Sequence, residues 1–165
     1  MNNMEIDRDL LLDLSMRLPY GVKGYVPVEV FSGSYDIYDG SAEYDEIDVL
    51  VELVGINAGN GDIEVICLDD RFDLCDYDYT IDDFTPLLRP MESLPDDERK
   101  KMLDAMFDIT MKNLQEKANG DETLNPASDL YCINFLMERH YDVNRLIPKR
   151  LAAAVTEKND PYSEK

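Results

Sequence analysis

The side chains that could carry out chemistry are few outside the carboxylates. His140 is the only histidine, so a Ser–His or Cys–His nucleophile could form only through that residue. His140 follows a predicted helix, where an imidazolium interacts favourably with the helix dipole, and we expect a structural role for it. The chain has no G-x-S-x-G, phosphate-loop or dinucleotide-binding glycine pattern. The sequence therefore predicts no catalytic residue, no cofactor and a protein that is not an enzyme.

Closely spaced carboxylates are the second candidate for chemistry, because oxygen ligands suit a hard cation. The aspartates concerned are Asp69, Asp70, Asp73, Asp76, Asp78, Asp82 and Asp83. Their spacing lacks the glycine and the terminal glutamate of an EF-hand loop, and no Cys/His cluster suits zinc. No carboxylate is isolated in an apolar segment, as a general acid would need to be. A carboxylate-based metal binder or enzyme is therefore only a lower-ranked alternative, and no metal ligand is assigned.

The strongest functional signal is the acidic stretch 36–83, which holds 16 Asp and Glu residues and a single basic residue, Arg71. Carboxylates on a rigid β scaffold could imitate nucleic-acid phosphates and occupy a basic protein groove, and interleaved tyrosines would add contact area. The predicted partner-binding residues are Asp45, Glu46, Asp48, Glu52, Asp69, Asp70, Asp73, Asp76, Asp78, Tyr77 and Tyr79. The alternative is that the charge provides solubility and protects a sheet edge.

Net charge limits the classes of partner. The chain of 165 residues has a formal charge of −20, and a field of this sign repels nucleic acids and anionic membranes. The three cysteines form no C-x-x-C pair, as is typical of reduced thiols in a cytosol. The sequence shows neither a signal peptide nor the roughly 20 apolar residues of a membrane helix. We expect a cytoplasmic protein that binds another protein, without direct contact with nucleic acid or membrane.

The elements that would display these residues begin with a helix and a β region. Apolar residues at steps of three and four predict a helix over 4–18. β-type composition follows, with strands predicted near 21–31 and 34–38. The clearest unit is a hairpin in which 47–56 and 62–68 flank a loop rich in Gly and Asn. A segment near 79–88 would complete a small, strongly curved antiparallel sheet or partly closed barrel.

The second half is predicted to be helical. The first of its helices, 93–118, carries an apolar stripe made of Leu103, Met106, Phe107, Thr110 and Leu114. Helices are also predicted over 126–139 and 143–147, the latter with Asp142 as its N-cap. The fold class is therefore α+β, in a single domain over 1–155. It would consist of a helix (1–19), an acidic β region (20–90) and a helical region (91–155), followed by a frayed tail (156–165).

Three short motifs carry a resemblance to known proteins. They are RLPYGVK at 17–23, LRPMESL at 88–94 and HYDVNRLIPKRLA at 140–152. Together they resemble a family of short uncharacterised proteins from gut Bacteroidetes and their phages and mobile elements. The similarity does not extend into the acidic region, and Arg145 and Arg150 stand where the family usually has glycine, Val143 where it has an aromatic residue. The resemblance implies a mobile-element origin and brings no activity, cofactor or catalytic residue.

Charge and this context lead to one functional hypothesis and one alternative. The hypothesis is a non-enzymatic acidic protein that binds a basic surface of a nuclease or other nucleic-acid-binding host protein and inhibits it by mimicking nucleic acid. The alternative is a structural or accessory module whose partner contacts the helical half around Tyr131, Phe135, Leu146 and Ile147. Electrostatic binding would weaken in high salt, whereas apolar binding would persist.

Overall fold

The computed structural model describes residues 7–38, 40–74, 77–119 and 128–163. Over these ranges the chain has an N-terminal helix, a curled half-barrel sheet of six strands, and further helices, so the α+β prediction is confirmed. The elements are α1 (Arg8–Arg17), β1 (Lys23–Tyr35), β2 (Ala42–Ile56), β3 (Asp62–Cys67), β4 (Tyr79–Thr80), β5 (Thr85–Leu88), α2 (Asp96–Ala118), α3 (Ser128–Glu138) and β6 (Ala153–Ala154). The strand order is β4-β3-β2-β1-β5-β6.

Helix α1 packs its apolar face against the sheet. The Asp7 carboxylate accepts hydrogen bonds from the amides of Asp9 (2.9 Å) and Leu10 (3.1 Å), which caps the first turn. Leu10 and Leu14 are buried in the main core. A short 3₁₀ turn then ends at Gly21, whose φ of +68° lies in the left-handed region that favours glycine. The first predicted helix is thus confirmed over 8–17, and its residues 4–6 lie outside the described ranges.

The sheet is built around the hairpin of β1 and β2. Alternate residues of both strands point into the core, where Val26 faces Val49 and Gly24 faces Val51 in an antiparallel register. The predicted hairpin of β2 and β3 is confirmed, because alternating side chains and a loop of glycine and asparagine are both local signals. The separate strand predicted over 34–38 is wrong, since β1 continues without interruption to Tyr35.

The far end of the β1–β2 hairpin extends beyond the rest of the sheet. β3 pairs with β2 only over residues 51–56, and β5 pairs with β1 only at 24–25. Residues 29–35 of β1 and 42–48 of β2 therefore form a two-stranded projection, which we call the arm. A two-stranded ribbon buries little surface of its own, so the arm depends on the sheet at its base.

The sheet edges differ from the predicted antiparallel arrangement. The predicted strand 79–88 divides into β4, a 3₁₀ turn and β5. β6, from the Ala-rich segment near the C-terminus, pairs parallel to β5 and makes the sheet mixed. Close packing at β5 requires a glycine, because a Cβ on Gly24 would lie 2.5 Å from the Thr85 carbonyl oxygen and 2.6 Å from the Phe84 ring. Both outer strands, β4 and β6, have only two residues, which limits edge-to-edge association.

Helices α2 and α3 pack on a second, smaller core that includes Leu94, Phe135, Leu136 and Tyr141. Met106 of the predicted apolar stripe of α2 is half-buried, but the rest of the stripe, together with Met111, does not face this core. Leu103, Phe107, Met111 and Leu114 are exposed to 50%, 64%, 49% and 58%. Half-buried residues one position away, such as Met102, face the second core instead. α2 therefore leaves an apolar face without a partner among the described residues.

The segment after α3 is not the helix predicted over 143–147. Its backbone forms turns, in which the Asp142 carboxylate accepts hydrogen bonds from the amides of Leu146 (2.7 Å) and Ile147 (2.9 Å). Arg145 and Arg150 adopt left-handed φ angles of +59° and +62°. A left-handed residue interrupts a right-handed helix, which is why the apolar spacing misled the prediction.

Residues 156–163 are packed rather than frayed. The Tyr162 hydroxyl accepts a hydrogen bond from the Lys23 amide (3.0 Å) and donates one to the Leu87 carbonyl (2.9 Å). Asp160 forms an ion pair with Arg89 at 3.3 Å. The polar composition of this segment does not predict these contacts, because they depend on two individual side chains, Tyr162 and Asp160.

Candidate protein-binding face

The outer face of the sheet, the side of β1–β3 away from the core, is where the strands display the acidic residues. Residues directly opposite one another in an antiparallel pair share a face. The outward pairs of β1 and β2 are Lys23–Glu52, Tyr25–Leu50, Pro27–Asp48, Glu29–Glu46 and Phe31–Tyr44. Their inward neighbours on β2, Val49, Val51 and Leu53, are buried. Outward orientation of Glu46 and Asp48 is thus fixed by burial of the valines beside them.

Like charges meet on this face. Glu29 lies directly opposite Glu46, and Asp48 occupies the next outward position along β2. Opposed side chains of this kind have Cβ atoms about 5 Å apart, and like charges at that distance destabilise the pair. All three carboxylates are exposed to solvent. The free protein thus holds a concentrated negative charge at the base of the arm.

Aromatic rings lie next to these carboxylates. The Phe31 ring centroid is 5.3 Å from that of Tyr35 and 6.0 Å from that of Tyr44. The three side chains are 44%, 62% and 59% exposed, although aromatic rings of this size are normally mostly buried. They form a rigid, preformed contact surface on the arm.

Apolar residues continue from the base of the arm across the sheet. Ile66 on β3 lies opposite Glu52, and the Leu68 amide bonds to the Leu50 carbonyl, so all of these residues share the outer face. Ile66 and Leu68 are exposed. An apolar centre with a charged rim is the usual composition of a protein–protein interface.

The acidic loop that follows Leu68, described at 69–74 and 77–78, lies on the other side of the sheet. Phe72 and Leu74 pack against the main core. Tyr77 stacks on Tyr79 with ring centroids 5.7 Å apart, and its hydroxyl donates to the Glu29 carbonyl at 3.3 Å. The predicted acidic patch is therefore divided between two surfaces on opposite sides of the sheet.

One carboxylate of the loop already has a cation. Arg71 donates to both carboxylate oxygens of Asp69, at 2.8 Å from Nε and 2.5 Å from Nη2. These hydrogen bonds lower the pKa of Asp69 to about 2. Asp69 thus has its charge matched within the loop.

The predicted partner-binding residues do not share one environment. Glu46 and Asp48 lie on the outer face, whereas Asp45 lies opposite Val30 on the inward side of the arm. Glu52 is on the outer face but lies at the far end of β2, where it lines a cavity described below. The remaining carboxylates, Asp69, Asp70, Asp73 and Asp78, are in the core-side loop with Tyr77, and Asp76 lies outside the described ranges.

Tyr79 requires a correction. It was predicted to contact a partner, but its side chain is only 6% exposed because it belongs to the main core. Burial raises its pKa to about 12. Its role is to support the exposed ring of Tyr77.

Sequence reasoning missed Glu29 and Phe31 as members of the face. The available signal was their alternation with Val28 and Val30 in the printed sequence, which places them on the side opposite the valines. Both residues precede the acidic stretch 36–83, which begins only after the end of β1.

His140 also differs from its expected state. It was expected as an imidazolium at a helix end, but it is 6% exposed and stacks on the Tyr162 ring at 3.7 Å. Burial, together with the nearby cations Arg17, Arg89 and Lys23, lowers its pKa to about 4. The imidazole is therefore neutral at pH 7. Its φ of +60° is another left-handed backbone position.

Within the described ranges there is no group of three or more His, Cys, Asp or Glu side chains that could hold a metal ion. No helix in the same part of the chain is long and apolar enough to cross a membrane. Comparison with protein families, with curated proteins and with solved structures finds no match to this chain.

Proposed function

We propose that this protein is a non-enzymatic binding protein whose outer face and arm occupy a basic surface of a nucleic-acid-binding protein, such as a nuclease. The observation that carries the proposal is the projecting arm, on which the opposed Glu29 and Glu46 adjoin the exposed ring of Phe31. Neither the charge repulsion nor the exposed ring benefits the free fold. Both would be relieved by a partner that brings cations and excludes water.

Strand geometry gives this face a regular spacing of charge. Outward residues two apart on one strand are separated by about 7 Å, and the opposite strand adds a second row about 5 Å away. Glu46 and Asp48 form part of one row, and Glu29 belongs to the other. These three carboxylates on a narrow ribbon resemble a short part of the charge pattern of a nucleic-acid backbone. A groove that binds phosphates through Lys and Arg could accept the arm in their place.

The experiment is a salt-gradient pull-down from a bacterial lysate with three charge-reversal variants. The variant Glu29→Lys/Glu46→Lys alters the outer face. Asp104→Lys/Asp108→Lys makes the same change of charge at exposed sites on α2 and serves as the matched control. A third variant, Asp70→Lys/Asp78→Lys, tests the core-side loop.

We expect wild-type protein and the α2 control to retain a basic nucleic-acid-binding protein that elutes at moderate salt and is displaced by excess duplex DNA. The outer-face variant should lose it. If the outer-face variant keeps the partner while the loop variant loses it, the binding face has been assigned to the wrong side of the sheet. Retention by all three variants would refute charge mimicry.

A second candidate function rests on the exposed stripe of α2. Leu103, Phe107, Met111 and Leu114 form a continuous apolar face that a partner helix could cover. This replaces the residues first expected to bind through the helical half, because Phe135 and Leu146 are buried and Tyr131 and Ile147 are half-buried. Binding of this kind would survive high salt and would be lost in Phe107→Ser but not in the outer-face variant.

A further inference from the structure

Basic side chains are scarce in the first part of the chain, yet they converge at one place. Residues 1–94 contain five Lys and Arg residues, at positions 8, 17, 23, 71 and 89, among 22 Asp and Glu residues. Three of the five, Arg17, Lys23 and Arg89, act electrostatically on the single imidazole of His140. Arg17 is already neutralised by its buried ion pair with Asp13, so Lys23 and Arg89 are the cations of this group that a ligand could contact.

Lys23, Arg89 and His140 line an open cavity of ≈ 380 Å³ at the far end of β1 from the arm. Its lining residues are Tyr20, Gly21, Lys23, Glu52, Arg89, Glu138, Arg139, His140 and Tyr162. The volume lies in the range of small-molecule sites. Segments from all three sequence motifs, 17–23, 88–94 and 140–152, contribute to the lining.

The cationic side chains that line this cavity have N–H groups that contacts within the protein do not use. Lys23 Nζ donates to the Pro161 carbonyl at 3.0 Å and lies 5.6 Å from the Tyr162 ring centroid. Arg89 contacts Asp160 at 3.3 Å, longer than the roughly 2.8 Å of a strong charge-assisted bond. Arg89 also forms a side-chain hydrogen bond with Tyr141, and because a guanidinium has five N–H donors these contacts leave others for a ligand.

The third cation is held in a fixed plane. The guanidinium of Arg139 lies 3.7 Å from the centroid of the Phe135 ring. Its ion pairs with Glu138 (3.4 Å) and Glu98 (4.0 Å) are long. A stacked guanidinium that is loosely paired presents its N–H edge with little loss of side-chain entropy on binding.

A buried polar atom gives independent support. His140 lines the cavity and is only 6% exposed, and its Nδ1 has no hydrogen-bond partner among the described residues. Buried imidazole nitrogens are normally satisfied, because leaving one unpaired costs free energy. Stacking on Tyr162 fixes the ring in place.

We propose that this cavity binds a small organic anion that carries a single phosphate or carboxylate group. Lys23 and Arg89 would hold the anionic group, and the half-exposed Tyr20 would contact the organic part. Glu52 and Glu138 also line the cavity, and they disfavour a ligand with several negative charges. This site is separate from the arm and does not depend on the proposed partner.

The test uses the single histidine as a probe. One histidine gives one set of imidazole C–H proton resonances, so tag-free protein can be titrated by NMR at pH 7 with phenyl phosphate and with benzoate. Sodium chloride at matched ionic strength is the reference. We expect a saturable shift with at least one of the two probes, and the tighter one identifies the anionic group.

Variants decide whether the cations hold the anion. Lys23→Gln and Arg89→Gln should each weaken binding about tenfold, as loss of a charge-assisted hydrogen bond implies. Arg99→Gln, at an exposed position on α2, should leave it unchanged. Arg89→Gln also removes the ion pair to Asp160 in the tail. Lys23 forms no ion pair with a carboxylate of the described residues, so the Lys23 variant is the cleaner test. Shifts that match sodium chloride for both probes, or unchanged affinity in Lys23→Gln, would overturn the proposal.

Discussion

The buried ion pair between Asp13 and Arg17 is the most direct test of how the N-terminal helix is joined to the C-terminal segment. Both side chains are 0% exposed. Asp13 accepts bonds from Arg17 Nε (2.5 Å), Arg17 Nη2 (3.1 Å) and Asn144 Nδ2 (2.8 Å). Arg17 Nη2 also donates to the Tyr141 carbonyl at 2.7 Å. The pair therefore connects α1 to residues more than 120 positions away along the chain.

Removing one charge leaves the other buried without compensation. For Asp13→Asn we expect a loss of about 3–5 kcal/mol in the free energy of unfolding, the range observed when one partner of a buried pair is removed. In a chain of this size that loss corresponds to a decrease of about 10 °C in the unfolding midpoint. Asp97→Asn is the matched control, because Asp97 and Lys101 have the same i, i+4 spacing but are 72% exposed. Its midpoint should hardly change.

A double-mutant cycle separates pairing from packing. Asp13→Leu/Arg17→Met removes both charges and retains apolar volume, so its cost should be smaller than the sum of the single changes by about 2 kcal/mol or more. Urea unfolding of the four proteins measures this coupling. A loss below about 1 kcal/mol for Asp13→Asn, or additive costs in the cycle, would refute the argument that this pair is buried and mutually compensating.

Four further outcomes can be checked by equilibrium unfolding. The pKa of His140 lies near 4, below its ordinary 6.5, so the unfolded chain takes up the proton first and stability falls as the pH falls from 6.5. The loss should reach about 2 kcal/mol by pH 5 and be absent in His140→Asn. Gly24→Ala should cost about 1–3 kcal/mol by overpacking, without changing the pH dependence. Glu46→Lys should stabilise the free protein by several tenths of a kcal/mol, because it places a cation opposite Glu29. Arg150→Gly should raise the free energy of unfolding by up to about 1 kcal/mol, since its φ of +62° suits glycine; a decrease would contradict this.

Local patterns in the sequence were sufficient for the hairpin of β2 and β3 and for α1, α2 and α3, but not for the segment 143–147. Alternation of Val49 and Val51 with charged or mixed neighbours fixes which side of β2 is buried, and Asn and Gly residues fix the turn that follows. These signals lie within a few residues of one another, so they can be read without knowing the rest of the fold. The same alternation places Glu46 and Asp48 correctly on the solvent side.

Interactions between distant segments were beyond the reach of the sequence. The apolar spacing of α2 is the same whether the stripe around Phe107 packs on a core or faces solvent, and only the position of α3 decides between them. Similarly, Asp69 and Glu46 belong to one acidic stretch, but the curl of the sheet and the packing of Phe72 place them on different sides. Composition showed the amount of charge but not its division between surfaces.

The two proposed sites share a strand but are electrostatically separate. Lys23 and Glu29 are both outward residues of β1, and the six residue steps from one to the other span about 20 Å at the rise of an extended strand. This exceeds twice the Debye length of about 8 Å at physiological ionic strength. An anion in the cavity therefore leaves the potential at the arm nearly unchanged, and a cationic partner on the arm leaves the cavity free to bind. The structural link between the two sites is β1 itself, which is packed closely against Phe84 at Gly24.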